Sequence, residues 1–197
     1  MTLIKSISGI RGTIGGQPGD NLTPIDMVKF TAAFVKFIQH GGVERPKVVV
    51  GRDARMSGFF VNQIVCGTLQ AMGADVLDIG LSTTPTTEIA VTGLKADAGI
   101  ILTASHNPAQ WNALKLLNNK GEFISAAEGA WLLDVAAKDD FDFVEISKIG
   151  TYQQVDGWMD KHVEMVCQLP LVNKDVIAKA NFKVAVDAVI DGWHCNS

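Results

Sequence analysis
Three short apolar runs dominate the first half of the chain: Lys47-Val48-Val49-Val50-Gly51, Asp75–Ile79 and Ala98-Gly99-Ile100-Ile101-Leu102. Each is too short for a helix and too uniformly apolar for a strand with one wet face, so each reads as a strand buried on both faces. Between them the periodicity changes to helical. Thr23-Pro24-Ile25-Asp26 opens one helix with an N-cap, a proline at the first position and an acid at the third. Ile25, Val28, Ala32, Val35 and Ile38 follow as its expected core face, and Gly41-Gly42 end it. A second helix is expected over 59–72, capped by Ser57, with Phe60, Ile64, Val65 and Leu69 as its apolar face. A third opens at Ser82-Thr83-Thr84-Pro85-Thr86 and runs to about Leu94, its hydroxyls read first as caps. Short connections between alternating strands and helices predict an α/β fold: a mostly parallel sheet with helices on both faces.

The edges of this frame are less regular. Leu3–Ile7 reads as a strand entering a Gly-rich turn, Ser8-Gly9-Ile10-Arg11-Gly12-Thr13, whose turned amides and arginine fork suit an anion. A solvated arginine on a plain turn is the competing reading. Leu116–Gly121 reads as strand and tight turn, and residues 126–138 as a helix. Asp139-Asp140-Phe141-Asp142 is expected to be an exposed acidic loop. The first domain is expected to close near Ile149-Gly150, at residues 1–149. Residues 150–197 then supply two more helices and a buried strand, Lys183–Asp187, as the incomplete start of a second α/β domain.

Composition narrows the function. The net charge is −4 and no basic cluster occurs, which argues against nucleic acid as the main partner. No run approaches the ~20 apolar residues of a membrane span, and the N-terminal residues lack a secretory pattern. Cys66, Cys167 and Cys195 are dispersed and match neither a disulfide framework nor a zinc pattern. A reducing cytoplasm is the expected compartment.

The chemistry concentrates after Ala98–Leu102. Thr103-Ala104-Ser105-His106-Asn107-Pro108 places a hydroxyl on a stiff turn just past a buried strand, at the rim where open α/β sheets bind ligands. Ser105 there can act as a nucleophile or carry a phosphate, with His106 beside it. Taken alone, the stretch reads first as an ordinary turn. Asp53, between Arg52 and Arg55, reads as an ion-pair network rather than a catalytic acid.

Thr103–Pro108 closely resembles the phosphoserine loop of the α-D-phosphohexomutases. Ser8–Gly12 is similar to that family's Ser-Gly-x-Arg-Gly signature, Gly51–Arg55 to its Gly-Arg-Asp-x-Arg pattern, and Asn112-Ala113-Leu114-Lys115 to its Asn-Gly-x-Lys. The alanine at 113 departs from that last pattern and would be strained if the position required positive φ. The resemblance runs to about Val189 and covers less than half of a complete member, so a fragment is expected.

It implies an isomerase. Phosphate on Ser105 passes to a hexose or hexosamine phosphate, a bisphosphate intermediate turns over, and its other phosphate returns. Arg11 faces the phosphoserine, and Lys115 offsets charge. His106 or Lys115 handles the hydroxyl proton. Mg²⁺ binds a phosphoserine oxygen of Ser105 together with aspartates of the second domain. The fragment alone is expected to be inactive. Two rivals stand beside this reading. A serine hydrolase is suggested by the Ser–His pair but lacks Gly-x-Ser-x-Gly. The other is a non-catalytic α/β module that binds phosphate or a partner.

Overall fold
The computed structural model describes residues 1–6 and 9–186. Seven strands form one sheet: β1 (Ile4–Ser6), β2 (Gly9–Thr13), β3 (Lys47–Arg52), β4 (Asp75–Leu81), β5 (Ala98–Leu102), β6 (Trp111–Leu117) and β7 (Tyr152–Gln154). Their order is β1-β2-β6-β5-β3-β4-β7. β3 pairs in parallel with β4 and β5, and β4 with β7. The β5–β6, β6–β2 and β2–β1 pairs are antiparallel. Five strands therefore share one direction, and β1 and β6 oppose it. Short connections explain the reversals: β5 returns through the Ser105 loop directly into β6, which leaves no room for a crossover helix.

Helices cover both faces. α1 (Pro24–His40), α2 (Gly58–Ala71) and α4 (Ala126–Lys138) pack on one, in a core with Val48, Val50, Ile100, Leu102 and Leu114. α3 (Thr84–Gly93) and α5 (Trp158–Cys167) pack on the other, through Ala90, Val91 and Trp158 against Val49, Leu77 and Leu117. Gly51 permits the close approach of α3, since a Cβ there would lie 2.5 Å from Thr87 Oγ1. α6 (Lys174–Ala180) contributes no buried residue. Among the described residues, no helix is long and apolar enough to cross a membrane.

Several sequence expectations are met to the residue. Thr23 and Asp26 form a reciprocal capping box, Thr83 caps α3 through the Thr86 amide, and β5 is buried along its whole length. Cys66 is buried in α2, where burial pushes its thiol well up.

Others are corrected. Residues 9–13 are not a turn but the strand β2, because antiparallel pairing with both β1 and β6 satisfies their backbone. Gly9, at φ 119°, allows close contact there: a Cβ would meet the Leu114 carbonyl at 2.4 Å. Ser57 does not cap α2. Its backbone is helical and its Oγ accepts from Asn112 Nδ2 at 2.9 Å. Ile25 and Phe60 are exposed at 60% and 43%, so the inward faces of their helices lie on Met27, Phe30 and Phe34 and on Val61, Val65 and Leu69. Helical spacing allowed either placement, and the sheet selected one.

Lys183–Val186 forms no strand and is exposed. A strand is stable only when its backbone groups are paired, and among the described residues none pairs here. Ile7, Ser8 and Asp187, with everything beyond, lie outside the described residues. The acidic run is mainly exposed, with Asp139 in a left-handed turn closing α4.

Candidate active site
The ends of β3, β4 and β5 all open at one rim because these strands are parallel. Their next residues are Asp53, Ser82 and Thr103. The crossovers through α2 and α3 lie on opposite faces of the sheet, which leaves a crevice at this edge. A cavity of about 240 Å³ sits there, lined by Asp53, Ser82, Thr83, Thr84, Thr103, Ser105 and Lys115.

Ser105 stands at the tip of the loop with φ 54°, a left-handed conformation unusual for a side chain-bearing residue. Its amide donates to Thr103 Oγ1 at 3.0 Å, and its Oγ lies 3.4 Å from His106 Nδ1. Both residues are exposed, as a group that reacts with a diffusing substrate must be.

Arg55 explains why this loop keeps its shape. Its Nε donates to Asp53 Oδ2 at 3.1 Å. Nη1 donates to the carbonyls of Pro108 (2.9 Å) and Trp111 (3.2 Å), and Nη2 to those of Ser105 and Asn107, the latter at 2.8 Å. All five guanidinium donors are used. The Arg55 and Asp53 side chains are 2% and 4% exposed, so the pair is a buried clamp rather than a surface ion pair. Arg52 Nη1 donates weakly to the Asp53 carbonyl at 3.4 Å.

Lys115 reaches the cavity from β6, on the sheet face that carries α3. It lies 6.0 Å from the Phe123 ring centroid. Burial raises the Glu88 carboxyl, and the Lys115 ammonium opposes that rise. Arg11 projects from β2, opposite Ala113, which puts it diagonally across from Lys115 on that same face. Its Nε is buried with no hydrogen-bond partner among the described residues. Ala113 lies in the extended strand β6, so the alanine carries no left-handed strain.

Ser105 and Lys115 thus share one cavity, with His106 beside the serine and Arg11 one strand further over. Ser82, Thr83, Thr84 and Thr103 also line it. The Thr-Pro step signals these hydroxyls in the sequence, but a capping role absorbs that signal. Thr83 does both.

Residues 3–143 match the family model described as phosphoglucomutase/phosphomannomutase, alpha/beta/alpha domain I. The chain belongs to the phosphoglucomutase/phosphomannomutase family. It is 35% identical over 147 residues to a phosphoglucomutase/phosphomannomutase of Thermococcus kodakarensis, covering 74% of this chain and 32% of that one. It is 32% identical over 180 residues to a phosphoglucosamine/phosphogalactosamine mutase of Sulfurisphaera tokodaii, covering 91% and 37%. A crystal structure of a family protein from Burkholderia thailandensis superposes with a TM-score of 0.68 at 27% identity, over 84% of this chain and 36% of that one. The chain spans less than half the length of these mutase-family relatives.

Proposed function
We propose that the protein to which this chain belongs interconverts hexose or hexosamine 6-phosphates and 1-phosphates by phosphoryl transfer through Ser105. One observation carries this reading: Ser105 is held in a left-handed turn by the buried Arg55 clamp, with its side chain in the same cavity as Lys115. Phosphoryl transfer demands mainly alignment and charge stabilisation, and this arrangement offers both.

In the transfer, a sugar hydroxyl oxygen bonds to phosphorus as the bond from phosphorus to Ser105 Oγ breaks. The bonding electrons stay on Oγ, and the hydroxyl proton passes to a base. His106 Nδ1, at 3.4 Å from Oγ, is a candidate to return a proton to Ser105, with Lys115 the other. Lys115 and Arg11 offset the charge that moves between oxygens.

Mg²⁺ is the metal the family implies. Among the described residues, no three carboxylate, imidazole or thiolate groups converge, so these residues do not make a Mg²⁺ site. A phosphate oxygen on Ser105 would be the one ligand from this stretch. A cytoplasmic setting belongs to the same reading, and so does a second unit, whose start we place after α5 rather than near Ile149-Gly150, because β7 pairs with β4 and Trp158 packs in the second core of the same sheet.

The test is direct. The protein is incubated with a hexose bisphosphate and analysed by peptide mass spectrometry. One phosphate on Ser105, absent from Ser105→Ala, supports the assignment. An unphosphorylated Ser105, or equal uptake by Ser105→Ala, overturns it.

A further inference from the structure
Thr83 has two duties: its Oγ1 accepts from the Thr86 amide at 3.2 Å, and it lines the cavity of Ser105. Thr86 behind it is fully buried. Thr86 Oγ1 lies 2.8 Å from Thr83 Oγ1, 2.8 Å from His162 Nδ1 and 3.3 Å from Met159 Sδ. His162 and Met159 come from α5, beyond the residues 3–143 that match the family model. A continuous chain of polar atoms therefore runs from α5 to the cavity wall.

Proton counting gives this chain a direction. A hydroxyl has one proton to donate. When His162 Nδ1 carries hydrogen, it donates to Thr86, and Thr86 donates to Thr83 Oγ1 at 2.8 Å in preference to the weaker thioether acceptor Met159 Sδ at 3.3 Å. Thr83 then accepts from both the amide and the hydroxyl of Thr86, and its own proton is free to point into the cavity. When Nδ1 is bare, Thr86 donates to the imidazole and its oxygen is left as an acceptor, which draws the Thr83 proton away from the cavity.

We propose that His162, acting through Thr86, is a positioning residue that aims the Thr83 hydroxyl proton into the Ser105 cavity, where a phosphoryl oxygen accepts it. The inference rests on the phosphoryl reading of that cavity. An anion there favours the arrangement with Nδ1 protonated, because in that arrangement the Thr83 proton is not drawn to Thr86 and is free to serve as a donor.

The test uses protein labelled with ¹⁵N-histidine, with His162 assigned by His162→Phe. Adding inorganic phosphate shifts the His162 Nδ1 resonance toward its protonated range, and Thr86→Val removes that response. In parallel, loading of Ser105 from a hexose bisphosphate slows about tenfold in Thr86→Val, the size expected for one lost hydrogen bond to a charged group. Thr86→Ser restores it. If Thr86→Val does not fold, His162→Phe replaces it in the loading assay, with the same slowing expected. Normal Ser105 loading with an unmoved His162 resonance overturns the relay and leaves the mutase reading intact. A His162 response without any Ser105 loading keeps the relay as an anion-orienting device and overturns the mutase reading. Equal loading by the valine and serine variants overturns the relay.

Discussion
Ser105 and Arg55 set opposing demands on the loop. A residue with a side chain in the left-handed region costs about 1–2 kcal/mol, and glycine relieves that. Ser105→Gly is therefore expected to raise thermal stability slightly while abolishing phosphate uptake, read by melting and mass spectrometry on one preparation. Arg55 acts in the other sense. Removing one partner of a buried, hydrogen-bonded pair costs about 3–5 kcal/mol, so Arg55→Met should unfold at markedly lower urea. It would also free the carbonyls of Ser105, Asn107, Pro108 and Trp111 together. Arg55→Lys keeps the charge but not the planar fork, and should recover only part of the loss. Full recovery by lysine would mean that charge, not the fork, shapes the loop.

At the level of elements, β7 pairs with β4 and is fastened further by side chains at its start. Asp75 accepts from Arg45 Nη2 at 2.7 Å and from the Thr151 amide and hydroxyl at 2.8 Å each, just before β7 begins. The Arg45 guanidinium holds the Asp75 carboxyl far below the usual range; burial opposes it, and Thr151 adds to it. The folded state thus binds the Asp75 proton less readily than the unfolded chain, so this stabilisation is complete above the unfolded value of about 4 and fades as pH falls toward the folded one. Asp75→Asn should flatten the acid limb of the stability curve, measured by denaturant titration at neutral and acid pH. An unchanged limb would assign acid sensitivity elsewhere. Further in, Tyr152 Oη donates to Asp78 Oδ2 at 2.8 Å, and Asn62 Nδ2 donates to the same oxygen at 2.7 Å. That network fastens the edge strand to α2. In α1, Thr23→Ala removes one half of the capping box and should cost about 1 kcal/mol.

Across the whole molecule, cohesion is unequal. The sheet and its two helical layers enclose nearly all the buried apolar side chains. Beyond α5 the surface turns apolar and open: Leu169, Leu171, Val176, Ile177, Phe182, Val184 and Val186 are all exposed. Limited proteolysis should cut within residues 168–186 first and leave a core that retains Trp158, whose burial joins α5 to the sheet. Early cleavage within α2 or β5 would contradict this ranking of local stability.

What the chain announces by itself is local. Apolar runs such as Ala98–Leu102, the caps Thr23 and Thr83, and the punctuation of Gly41-Gly42 are decided by a residue and its near neighbours, so they are legible in order. The Ser105 loop was legible by resemblance to a known motif, together with its place after a buried strand. Tertiary structure alone decided the rest. Whether Gly9–Thr13 is turn or strand depends on β6, about a hundred residues away, offering its backbone. Whether Ser57 caps its helix depends on Asn112 arriving to donate to it. Arg55 becomes a clamp, and Thr86 a junction between α5 and the cavity, only when distant strands and helices set their partners beside them. Pairing partners and buried hydrogen bonds are properties of a packed chain, and no stretch of sequence holds them alone.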